Sequence, residues 1–159
     1  TTAIAEQFFA DDRSADLSKF TAFADGAAEA LAGHAGDLHL DGLADLSDAE
    51  AEILSRHRGS CLFLNGLKDL SDTVADMLSR HKGVLVLNGL TRLSDAAAAN
   101  LSKHAAGPLC LNGLTSLADS PGHLALATKL GRQGLPRELF ISALTSVSDA
   151  AAERLGKLK

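Results

Sequence analysis

A short leucine-rich pattern returns along this chain at nearly constant spacing. Leu38-His39-Leu40-Asp41-Gly42-Leu43 recurs as Leu62-Phe63-Leu64-Asn65-Gly66-Leu67, then as Leu85-Val86-Leu87-Asn88-Gly89-Leu90, then as Leu109-Cys110-Leu111-Asn112-Gly113-Leu114, in steps of 24, 23 and 24 residues. A period of this size marks a solenoid of stacked supersecondary units. One such unit cannot bury its apolar face alone, so neighbours must bury it together.

Each unit has two halves of different periodicity. In Leu85-Val86-Leu87 the aliphatic residues alternate, which predicts a short strand with the leucines inward and Val86 outward. A tight polar turn follows. Then comes a helical segment such as Leu93 to His104, in which Ala98 and Leu101 lie three residues apart on one face. The fold class is therefore α/β.

Aligned units turn single residues into columns. Asp25, Asp48, Asp72, Asp95, Asp119 and Asp149 head the helical segments. There an aspartate caps free N–H groups and suits the positive helix end; Ser47 with Glu50 also fits a capping box, so either residue type can be the cap. Ala28, Ala51, Ala75, Ala98, Gly122 and Ala152 follow three residues later, then Leu31, Leu54, Leu78, Leu101, Ala125 and Leu155. These columns give about six units. The first is degenerate, starting near Ala15 with Phe20 and Phe23 at leucine positions, and the last starts at Leu139.

Gly36, Gly59 and Gly83 follow the helices, where a left-handed residue commonly ends one. Asp41, Asn65, Asn88 and Asn112 stand at the strand-to-turn junction, with Ser18 and Ser142 at the equivalent places. They read as a structural ladder whose side chains bond turn backbone that would otherwise be buried without partners. His34, His57, His81 and His104 fall at the helix C-termini, where imidazoles can bond the last carbonyls. One histidine per unit cannot surround a shared ion, so no metal is expected.

The motif Leu87-Asn88-Gly89-Leu90-Thr91-Arg92-Leu93-Ser94-Asp95 resembles leucine-rich repeat proteins, nearest to the cysteine-containing class. Leu90 stands in the place of that class's cysteine and Ser94 in the place of its threonine. The likeness covers about residues 15–159, with units about two residues shorter, as in a short bacterial-style variant. It implies a right-handed coil with a parallel sheet on the concave side and helices on the convex side. It also implies protein or peptide binding, usually across the concave face.

Residues 1–14, with Ile4-Ala5-Glu6-Gln7-Phe8-Phe9-Ala10, are expected to form a capping helix ahead of a repeat domain at 15–159. The chain opens on Thr1 without a basic leader, in the manner of a processed chain or of a segment cut from a longer one, so any export signal would lie outside this sequence. Helix Ala150 to Leu158 should end it, leaving a terminal face available for self-association. The unit from Leu109 to Pro136 is longer. Its helix opens at Ser120-Pro121-Gly122, and Gly131 to Arg137 reads as a loop.

Composition narrows function. A net charge of -5 argues against a nucleic-acid surface, and no apolar run is long enough to span a bilayer. Two cysteines, Cys61 and Cys110, fall in different columns and are expected as free thiols; the compartment stays open. The chain carries no phosphate-cradling glycine loop, no zinc-protease signature and no nucleophile elbow, so no enzyme and no cofactor are expected.

The expected function is non-catalytic recognition of a protein or peptide. The candidate binding residues are the outward strand positions His39, Phe63, Val86, Cys110 and Phe140, most of them apolar and one strand apart. A second outward column holds Asp37, Cys61, Val84, Pro108 and Glu138. The alternative is a structural spacer or self-assembly segment of a larger protein, which the near-identical units and the absence of Trp and Tyr favour.

Overall fold

The alternating leucines build short parallel strands. The computed structural model describes residues 14–23, 26–133 and 141–156. Strands β1 (Ser14–Asp16), β2 (Asp37–His39), β3 (Cys61–Phe63), β4 (Val84–Val86) and β5 (Leu109–Cys110) pair in chain order as one five-stranded parallel sheet. The register sets Leu38 beside Leu62, Leu62 beside Leu85 and Leu85 beside Leu109. Past the strand ends the ladder continues. Leu40 N–H donates to the Phe63 carbonyl at 2.8 Å, Leu64 to Val86 at 2.9 Å and Leu87 to Cys110 at 2.9 Å.

Three leucines from each unit share the interior: Leu38, Leu40 and Leu43, and their counterparts from Leu62 to Leu114, are all buried. At about 1.5–3 kcal/mol for each buried side chain, these columns are the main source of cohesion between units.

Helices alternate with the strands. They are α1 (Ala27–Ala32), α2 (Asp48–Leu54), α3 (Asp72–Leu78), α4 (Asp95–Ser102), α5 (Pro121–Gly131) and α6 (Asp149–Gly156), and each packs on the next. The ambiguity over caps resolves in favour of serine. Ser47, Ser71 and Ser94 accept from the backbone N–H three residues on, and Glu50 closes a capping box at α2. Asp48, Asp72, Asp95 and Asp149, expected as caps, are the first helical residues, where their charge still meets the positive helix end. Ala51, Ala75 and Ala98 are buried beneath the helices, as are Leu54, Leu78 and Leu101.

Five expectations need correction. The post-helix glycines are not left-handed: among the described residues only Gly26 has a positive φ. A Cβ at Gly59 would instead overlap the Gly36 carbonyl of the preceding unit, so glycine is required there for close approach of backbones. Phe20 is 40% exposed, because Leu17 fills the interior while the Leu17–Phe20 turn closes through Phe20 N–H to the Leu17 carbonyl.

In the long unit Ser120 precedes the helix and Pro121 is its first residue, so Asp119 lies outside it. Leu126, Ala127 and Leu130 take the core positions, leaving Ala125 only half-buried. Gly131 is the last residue of that helix and not part of a loop. The sequence reading also missed a small second sheet, in which β6 (Ser116–Leu117) pairs in parallel with β7 (Ser146–Val147). The expected capping helix before Ser14, the segment from Gly134 to Phe140 and the last residues of the expected terminal helix lie outside the described residues.

Candidate partner-binding face

The strand register brings Asp16, His39, Phe63, Val86 and Cys110 into one row across the sheet. His39, Phe63, Val86 and Cys110 are outward because the leucines on either side of them in sequence point inward. The His39 ring lies flat on Phe63, with centroids 4.1 Å apart and planes within 7°. His39 Nδ1 stands 3.8 Å from an Asp41 carboxylate oxygen. Phe63, His39 and Cys110 are half-buried. Val86 is only 6% exposed, so the row is a dense apolar seam crowded by its own neighbours and not a bare stripe. Phe140, the fifth member expected, lies outside the described residues.

One end of the seam is acidic. Asp16 is exposed, and hydrogen bonds from Ser18 hold its carboxyl below the usual carboxylate range: the hydroxyl donates at 2.6 Å and the backbone N–H at 3.0 Å. Asp37, in the second outward column, faces the Cys61 thiol. Burial first, then the Asp37 charge and hydrogen bond, push that thiol up to about 11. Burial also raises Cys110. Both cysteines are free. At neutral pH both stay protonated, and the protonated form is the unreactive one.

The ladder beneath the seam is structural. The Asp41 carboxylate accepts from Asn65 N–H at 3.0 Å and from the Asn65 amide at 2.7 Å. Asn65 Oδ1 accepts from Asn88 N–H at 3.0 Å, and Asn88 Oδ1 from Asn112 N–H at 2.9 Å. Each side chain thus satisfies the backbone of the next unit, which fixes the strand-to-turn junction.

The histidines form a second ladder, inside the protein. His34, His57, His81 and His104 are at most 4% exposed. His57 stacks on His81 at 5.7 Å and His81 on His104 at 6.5 Å. Their carbonyl partners belong to the preceding unit and not to their own helix. His57 Nε2 lies 3.0 Å from the Gly36 oxygen, while His104 Nδ1 and Nε2 lie 3.1 Å from Ser79 O and 3.0 Å from Gly83 O. A neutral imidazole can donate from only one of those nitrogens. Among the described residues, neither nitrogen of His81 has a hydrogen-bond partner.

Among the described residues, no group of three or more His, Cys, Asp or Glu is placed to hold a metal ion. No described helix is long and apolar enough to cross a membrane. In comparison with known proteins, no family model and no curated protein matches the chain.

Proposed function

We propose that this chain is a non-catalytic recognition scaffold of the leucine-rich repeat type. In this reading about six units form a right-handed solenoid, with the parallel sheet concave and the helices convex. A protein or peptide lies across the outward face of β2 to β5, and His39, Phe63, Val86 and Cys110 anchor it, joined by Phe140.

The observation that supports this most is the in-register seam itself. It sets a stacked imidazole–phenyl pair beside a valine and a protonated thiol, with carboxylates at one end. Rigid aromatic groups held in a row offer contact area at little entropic cost. The half-burial of Phe63 and Cys110 leaves edges for a ligand to cover.

The test is a pooled library of linear peptides selected against the wild-type chain, then measured against the Phe63→Glu/Phe140→Glu chain. Selected peptides should lose binding to the double variant while its circular dichroism and melting stay close to wild type. Peptides that bind the folded double variant unchanged would reject this face.

A further inference from the structure

The five strands of the main sheet run the same way, so every strand-to-helix turn along it lies on one flank and every helix-to-strand turn on the other. Charge is spread unequally between these flanks: exposed Lys19, Lys68 and Arg92 lie in the strand-to-helix turns, but exposed aspartates outnumber them there. Exposed Asp48, Asp72 and Asp95 stand at the helix starts, one per unit. Exposed Arg56, Arg58, Arg80, Lys82 and Lys103 stand at the helix exits. The net charge of -5 conceals this separation.

Helix dipoles account for part of it, since acids suit helix starts and bases suit helix ends. They do not account for Arg58 and Lys82. These residues lie four positions past the last helical residues Leu54 and Leu78, and the dipole acts only within the last turn. Nor are they held by ion pairs. Glu52 takes Arg56 at 2.6 Å and Arg80 at 3.5 Å. Among the described residues neither Arg58 nor Lys82 has an acidic partner within ion-pair distance. The four cations and Glu52 line an open cleft of about 440 Å³ on this flank.

The two ladders share one pitch, because each repeats once per unit of the same stack. A sideways translation of one molecule onto another therefore sets Asp48 and Asp72 against Arg58 and Lys82 at successive units. We propose that the helix-exit flank, with Arg58 and Lys82 in its cleft, is a docking surface for the aspartate flank of a second copy of this chain. The contact is head-to-tail, so it can continue from copy to copy. Exposed ion pairs are individually weak, and the net negative charge opposes approach. Association thus depends on several pairs acting together and on low salt. This contact is separate from the outward sheet face and leaves it open.

Sedimentation velocity over a concentration series tests it, at about 20 mM and about 300 mM NaCl. The weight-average mass should rise with concentration at low salt, and the apparent dissociation constant should weaken at least about tenfold at high salt. Chains carrying Arg58→Glu/Lys82→Glu, or Asp48→Lys/Asp72→Lys, should each stay monomeric alone. Their mixture should associate, since each keeps one intact flank. A wild-type chain that stays monomeric at low salt up to millimolar concentration would overturn the proposal. So would association that survives both high salt and the charge reversals. If a reversal variant fails to fold, Arg58→Gln/Lys82→Gln replaces it, and unchanged association in that chain counts against the proposal. Phe63→Glu should leave the association untouched, so this test stands apart from that of the recognition face.

Discussion

Acid should loosen this protein through His81 before it reaches the carboxylates. His81 is 0% exposed, has no hydrogen bond on either nitrogen among the described residues, and lies between His57 and His104. Burial, then the neighbouring His57 and His104, lower it from the ordinary 6.5 to about 4. The unfolded chain therefore takes up this proton first. The contribution of neutral His81 to stability is complete above pH 6.5 and is lost as pH falls from there toward 4. Linkage puts the loss from this one group at about 1.3 kcal/mol between pH 7.5 and 5.5, and about 2.5 kcal/mol by pH 4.5. Burial lowers His57 and His104 as well, so their effect has the same sign. Hydrogen bonds hold Asp16, Asp76 and Asp95 below the usual carboxylate value, so their contributions fade only at still lower pH. Urea unfolding at pH 7.5, 6.5, 5.5 and 4.5, on wild type and His81→Leu, measures this. The variant should lose less stability on acidification, by about those amounts. At pH 7.5 it should equal or exceed wild type, because two unpartnered buried nitrogens are gone. An identical drop in wild type and variant would refute the reasoning.

Three further outcomes follow from the same geometry. Asn88→Ala removes the acceptor of Asn112 N–H and should cost about 1–3 kcal/mol in urea melts; an unchanged midpoint would show that the ladder carries no stability. In Gly66→Ala the new methyl meets the carbonyl oxygens of Leu43 and Asp41 and should cost about 1–3 kcal/mol. Gly156→Ala, with open space around it, should be neutral or gain up to about 1 kcal/mol, so equal thermal shifts for the pair would contradict the close-approach account. Ser71→Ala should cost about 1 kcal/mol through its lost bond to Val74 N–H, whereas Ser71→Asp should keep most of it; equal melting of the two variants would oppose the serine-cap assignment.

The repeat exposes interior contacts in the sequence because each unit's neighbour is another copy of itself. Leu62 meets Leu85 and Leu85 meets Leu109, so aligning columns already identifies the partners. The outward row from His39 to Cys110 was legible for the same reason. The details that escaped depend on how closely units approach. Gly59 lies in a conformation open to any residue, and the Gly36 carbonyl and the His57 ring beside it exclude a side chain. The histidines bond carbonyls about 21–25 positions away, a distance at which spacing within one helix says nothing. The aspartate column suggested caps, but either Ser71 or Asp72 could serve, and backbone geometry chose the serine. Pro121 shifted the long unit by fixing where its helix starts, which put Leu126 in place of Ala125.

Scalar couplings across hydrogen bonds test the stacking most directly. In an isotope-labelled chain, the amide nitrogens of Leu40, Leu64 and Leu87 should couple to the carbonyl carbons of Phe63, Val86 and Cys110, each in the following unit. Couplings confined to each residue's own unit, or none at these three amides, would contradict the side-by-side arrangement of the repeats.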